Sequence, residues 1–149
     1  MIVYLDTSAL LPLVIAEPGS PVSKRLWKDA HEVVSTRLVV VEAAAALAQS
    51  ERIGRTSAAA LADHLEEAQL IIADATLLDV TTTVINRAAE IAVTRGLRGY
   101  DAVHLATATL IRARDVVFAS GDQRLLTAAA EERFTTVDTS GRANSAAPV

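Results

Sequence analysis

Four carboxylates lie against apolar runs of the chain: Asp6 behind Ile2-Val3-Tyr4-Leu5, Glu42 behind Leu38-Val39-Val40-Val41, Asp101 inside YDAVHLATA, and Asp122 behind Val116-Val117-Phe118-Ala119. An acid in such surroundings loses hydration and needs a partner. If the fold gathers them, each pairwise repulsion amounts to about 3 kcal/mol at ~5 Å and an effective dielectric of ~20, which a cation or protonation must relieve. With no cysteine and only three histidines in the chain, the cation such a site would hold is hard and oxygen-preferring, Mg²⁺ or Mn²⁺ rather than zinc. Ions of this kind keep water ligands, lower the pKa of a bound water and neutralise charge on phosphoryl oxygens, so the chemistry indicated is phosphodiester hydrolysis. Hydroxyls beside the acids, at Thr7, Ser8 and Ser120, can orient a carboxylate or a water from behind. A role as helix caps or turn residues suits them equally.

Taken singly, the acids also have structural readings. Asp6 can cap the helix that follows it, Asp101 can favour the positive end of its helix, and Asp122 can belong to a turn with Gly121. Glu42 is harder to dismiss, because no Lys or Arg lies within one helical turn of it. The joint arrangement is what shifts the weight toward a site. His104 shares no metal-ligand spacing with His31 or His64 and reads as a packing or hydrogen-bonding histidine. Arg52 and Arg55 flank Gly54, and Arg95 and Arg98 flank Gly96; either pair can position phosphates, though as helix-end cations they also complement the macrodipole.

The elements that must position these groups alternate between short β-branched runs and helical periodicity, the pattern of an α/β layer architecture with a mainly parallel sheet. Strands are expected at 2–5, 33–35, 77–80, 116–119 and 135–137. Helices are expected from Thr7 or Ser8, one of which would cap, to about Ala16, then over 22–30, 37–53, 56–73, 82–95, 100–113 and 123–132, with a break at Glu17-Pro18-Gly19-Ser20-Pro21. The 37–53 and 56–73 segments should form a helical hairpin. Asp6 and Asp122 then fall past the carboxyl ends of strands, where open parallel sheets place ligands. Asp101 shares a helix face with His104, Leu105 and Ala108, and Glu42 one with Ala45, Ala46 and Gln49, so both should look inward.

The 149 residues, 51% hydrophobic, suit one domain with a real core. Net charge is −4, from 14 Lys and Arg against 18 Asp and Glu, which argues against coating nucleic acid by bulk electrostatics; setting the four acids aside leaves the chain neutral. The absence of cysteine suits a reducing cytoplasm. Met1 runs directly into a strand, and the longest apolar stretch, Ala9 to Ala16, is short and holds Pro12, so neither a signal peptide nor a membrane anchor is expected. From Thr139 onward the tail TSGRANSAAPV should lack fixed structure.

On IVYLDTSALL with Asp6 and Ser8, VVVEAAAAL with Glu42, YDAVHLATA with Asp101, and FASGDQRLL with Ser120 and Asp122, the chain resembles the PIN-domain ribonucleases, and more narrowly the VapC-type toxins of prokaryotic toxin–antitoxin pairs. The likeness spans nearly all of residues 1–138, a PIN-like domain, and leaves the tail 139–149 unmatched. It implies a three-layer α/β/α fold with a mostly parallel sheet, Mg²⁺- or Mn²⁺-dependent endoribonuclease activity on an RNA substrate, homodimerization and inhibition by a VapB-like antitoxin. By the same resemblance Asp6, Asp101 and Asp122 are metal-facing acids, Glu42 is a fourth acid that binds metal through water or orients the nucleophile, and Ser8 and Ser120 are supporting hydroxyls. A housekeeping RNA-processing role is the alternative within the family. Outside it, a haloacid-dehalogenase-like phosphatase would need a second Asp where Ser8 stands, and a non-enzymatic acidic interaction domain would not need Glu42 or Asp101.

Overall fold

Because β1 (Ile2–Leu5) is apolar at every position, it has no face suited to water, and the fold gives it none. In the computed structural model, which describes residues 1–112 and 114–142, β1 is the middle of a five-stranded parallel sheet. The others are β2 (Glu32–Thr36), β3 (Thr76–Leu78), β4 (Val116–Ser120) and β5 (Thr135–Asp138), in the order β3-β2-β1-β4-β5. Leu5 pairs with Ala119, and Tyr4 lies between Val34 and Phe118.

Alternation along the strands sorts the helices into two layers. Ile2, Tyr4, Val34, Val116 and Phe118 pack with residues of α5 (Thr82–Arg95), α6 (Gly99–Thr109) and α7 (Gln123–Glu131). Val3, Leu5, Val33 and Ala119 meet Ala9 and Leu13 of α1 (Thr7–Val14) and Leu26 and Trp27 of α2 (Ser20–Asp29). The expected hairpin of α3 (Val39–Arg52) and α4 (Ala58–Ala73) packs on α1 through Leu10, Val39, Ala43 and Ile72, and again through Val14, Leu47 and Ala68. The result is the three-layer α/β/α architecture with a wholly parallel sheet.

Several boundaries differ from the sequence reading. Of the caps the sequence offered for α1, Asp6 serves rather than Thr7 or Ser8: its carboxylate accepts from the Ala9 N–H at 2.9 Å. Helix α2 begins at Ser20, inside the expected break, since Pro21 sits in the first turn where its missing N–H leaves nothing unpaired. β3 ends at Leu78 rather than Val80 because its register with β2 runs from Thr76 to Leu78. Helix α6 stops at Thr109; the expected end at Ala113 lies outside the described residues. Gly96, at φ 64°, ends α5 in the left-handed conformation, as its place in the sequence suggested.

Beyond β5 the chain crosses the start of α2 closely enough that a Cβ on Gly19 would fall 1.8 Å from the Thr139 carbonyl oxygen. Thr139 N–H donates to the Ser120 carbonyl at 2.9 Å. The remainder of the expected tail, residues 143–149, lies outside the described residues. Among the described residues no helix is long and apolar enough to cross a membrane.

Candidate active site

The sheet order fixes where a ligand belongs. Crossovers from β1 to β2 and β3 run one way and those to β4 and β5 the other, so a crevice opens at the carboxyl ends of β1 and β4. Asp6 leaves β1 there, Ser120 ends β4, and Asp122 follows two residues later as the cap of α7. The crevice is a cleft of about 350 Å³ lined by Asp6, Thr7, Ser8, Glu42, Arg98, Asp101, His104 and Asp122, with Leu11 and Gly121. All four acids singled out in the sequence therefore meet in one place. Larger hollows, an apolar groove between α3 and α4 and a polar one beside α7 and β5, contain none of them.

Asp6 is the deepest, 4% exposed. Its Oδ1 accepts from Ser8 Oγ at 2.8 Å and from the Ala9 N–H, and its Oδ2 from Ser120 Oγ at 2.6 Å. Ser8 Oγ in turn accepts from the Gly121 N–H at 2.7 Å, tying the start of α1 to the turn after β4. Burial pushes the Asp6 carboxyl above its ordinary pKa, against the opposing pull of His104, the two serine hydroxyls and the Ala9 N–H. Capping and lining the cleft are thus one position's work. Both Asp6 oxygens accept from a hydroxyl or an N–H, which fixes the orientation of the carboxylate in the cleft.

Glu42 enters from the flank of α3. The core face of that helix is Val39, Ala43 and Leu47, while Ala45 and Gln49, expected to point inward with Glu42, are exposed. Glu42 Oε2 accepts from Thr7 Oγ1 at 2.8 Å and contacts His104 Nε2 at 2.6 Å. Asp101, in the first turn of α6, accepts from Arg98 Nε at 2.8 Å, and the same guanidinium reaches Asp122 Oδ2 at 3.3 Å. Asp122 Oδ1 accepts from the Arg124 and Leu125 N–H groups at the start of α7.

Of the arginines that the sequence offered either to position phosphates or to complement a helix end, Arg98 is the one that lines the cleft. Its paired candidate Arg95 binds Glu131 and Glu132 away from the cleft, whereas Arg98 lies between two of the acids. The i, i+3 spacing of Arg98 and Asp101 was the available signal. Arg52 donates to Gln49 at the exposed end of α3. Among the described residues no three acidic or histidine side chains stand close enough to ligate one ion as placed.

A PIN-domain family profile matches residues 3–131. The chain belongs to the PIN-domain family. It is 36% identical to Ribonuclease VapC45 of Mycobacterium tuberculosis (strain CDC 1551 / Oshkosh) over 128 residues, 86% of this chain and 89% of that protein. With Ribonuclease VapC47 of the same strain it shares 32% identity over 139 residues, 90% of this chain and 94% of the relative. The crystal structure of PAE2754 from Pyrobaculum aerophilum superposes with a TM-score of 0.64 over 93% of this chain and 84% of that one; at 23% identity the likeness is one of fold. The PIN-domain match spans all four cleft acids.

Proposed function

We propose that this PIN-domain protein is a divalent-cation-dependent endoribonuclease acting in the cytoplasm as the toxin of a VapBC-type pair. The observation that carries the reading is the convergence of Asp6, Glu42, Asp101 and Asp122 on the switch-point cleft. The names of its relatives, ribonucleases of the VapC type, point to the same substrate class.

The donor set suits Mg²⁺ or Mn²⁺. It offers carboxylate oxygens, Asp6 is buried with only neutral hydrogen-bond donors within reach, and a monovalent stand-in, the Arg98 guanidinium, is already drawn between Asp101 and Asp122. Asp6, Asp101 and Asp122 would hold the ion, with Glu42 contributing through water. When bound, the ion supplies positive charge for phosphoryl oxygens and a water of lowered pKa. The protein's own groups do the rest. Ser8, Ser120 and the Ala9 N–H hold the Asp6 carboxylate in one orientation, and Thr7 does the same for Glu42. Glu42 would accept a proton from the attacking water as it adds to a backbone phosphate of single-stranded or loop RNA; the P–O3′ bond breaks, leaving a 5′-phosphate and a 3′-hydroxyl that takes its proton from solvent. Arg98, 75% exposed at the cleft, can swing from the acids to a phosphate oxygen of the substrate.

The test is cleavage of total cellular RNA with and without Mg²⁺ or Mn²⁺, followed by sequencing of the product ends. Cation-dependent internal cuts are expected; release of phosphate from small esters with RNA left whole would contradict the reading. Growth arrest on expression, relieved by a co-expressed VapB-like antitoxin, separates the toxin role from housekeeping RNA processing, and light scattering tests the homodimer.

A further inference from the structure

Behind Glu42 a line of polar atoms runs from the core of the sheet to the cleft. Tyr4 of β1 is fully buried and stacked on Phe118, ring centroids 5.1 Å apart. Its hydroxyl meets His104 Nδ1 at 3.2 Å, and His104, 2% exposed, presents Nε2 to Glu42 Oε2 at 2.6 Å. Facing a carboxylate oxygen at that distance, Nε2 must carry a proton. In the neutral ring Nδ1 is then the acceptor, which the Tyr4 hydroxyl satisfies. Both ring nitrogens are therefore engaged, Nδ1 by Tyr4 and Nε2 by Glu42, with Thr7 Oγ1 a longer 3.4 Å from Nε2. Thr7 donates to the same Glu42 oxygen, so both bonds fall on Oε2 and Oε1 remains available to the cleft.

The arrangement answers a mechanical problem. Glu42 lies on the flank of α3 with no Lys or Arg within a helical turn, and its long side chain has several rotamers to choose from. Thr7 alone fixes one oxygen by one bond. A second donor from a buried ring, itself anchored in the sheet, removes the remaining freedom about the carboxylate. We propose that His104, held by Tyr4, is a positioning residue that fixes the Glu42 carboxylate in the cleft for cleavage of the RNA backbone. The inference rests on the nuclease reading of the cleft. His104 touches no substrate and acts through Glu42 alone.

Two substitutions separate positioning from packing. In His104→Gln the amide nitrogen can occupy the place of Nε2 and still donate to Glu42; in His104→Asn it can reach only the place of Nδ1, beside Tyr4. Both remove the ring, so both lower the melting temperature. With folded fractions matched, His104→Asn is expected to lower kcat by about 10–100-fold at little change in KM, while His104→Gln recovers to within about threefold of wild type. Equal losses in the two variants, or an undiminished kcat in His104→Asn, would overturn the inference. A second readout needs no activity: ¹⁵N spectra of the His104 ring are expected to show Nε2 protonated, with a shift that changes in Glu42→Ala. A bare Nε2 would refute the brace. Were the wild-type protein unable to cleave RNA, the nuclease reading would fail, and the ring spectrum would still decide whether His104 holds Glu42.

Discussion

Asp6 and Glu132 are both buried carboxylates, 4% and 9% exposed, and the molecule treats them in opposite ways. Glu132, at the end of α7, accepts from Arg112 at 2.8 Å and from Arg87 and Arg95 at 3.1 Å each, joining α5, α7 and the turn after α6. Burial alone would raise its pKa, but the Arg95 hydrogen bond and the charges of Arg87, Arg112 and Arg95 outweigh it and hold the carboxyl below its ordinary value. Asp6 has hydroxyls and one N–H but no cation against it, and its pKa is raised by burial. A charge matched by its own arginines is a fastener. A charge buried among neutral donors keeps its demand for a cation, and that sets Asp6 apart from Glu132, while Asp101 and Asp122, the shallower cleft acids, share the exposed Arg98.

The largest effect should come from exchanging the two acids' neutral counterparts. Asp6→Asn keeps the cap's oxygen and the fold, yet should lower RNA cleavage by about 10³-fold, since the proposed cation would lose a negatively charged ligand. Glu132→Gln should leave cleavage unchanged. Initial rates on one oligoribonucleotide, at matched folded fraction, check both.

Stability should invert that order. Glu132→Gln is expected to lose about 2 kcal/mol in urea titrations, less than the 3–5 kcal/mol of a fully buried pair because the three arginines are 31–47% exposed. Asp6→Asn should lose nothing in metal-free buffer. The pH dependence sharpens the contrast. Glu132 has a lowered folded pKa, so its contribution is present above its unfolded value near 4.5 and is lost as pH falls through the folded one. Asp6 has a raised folded pKa, so its contribution is present below its unfolded value near 3.8 and is lost as pH rises through the folded one. Wild type should therefore lose its advantage over Glu132→Gln on acidification, whereas Asp6→Asn should gain on metal-free wild type as pH rises. Parallel curves would dissolve the distinction.

The smallest effect concerns Arg98. Its pairs are surface pairs, worth about 0.2–1 kcal/mol, so Arg98→Gln should change stability by no more than that and tighten Mn²⁺ binding by up to about fivefold in calorimetry, the stand-in having been removed. Weaker Mn²⁺ binding would mean that Arg98 supports the ion rather than competing with it.

Much of this was legible in the chain. Apolar runs marked β1 and β4 as the inner strands, and the parallel topology brings together acids separated by as many as 116 positions, from Asp6 to Asp122. What stayed hidden was set by contacts between distant elements. The sequence offered Asp6, Thr7 and Ser8 as caps for α1, and the choice of Asp6 goes with Ser8 turning to the Gly121 N–H and Thr7 to Glu42. The partner of Glu42 could not be read from α3, because it is His104, which arrives from α6. Arg95 and Arg98 look alike beside Gly96, yet α7 supplies Glu131 and Glu132 to the first while the cleft acids take the second.

The central claim is that the cleft acids share one divalent ion, and anomalous diffraction from crystals grown with Mn²⁺ measures it directly. The account predicts a peak bounded by Asp6, Asp101 and Asp122 with the Arg98 guanidinium turned out of its place between Asp101 and Asp122. Crystals of cleavage-competent protein with no peak in the cleft at saturating Mn²⁺, and Arg98 still bridging the two acids, would contradict it.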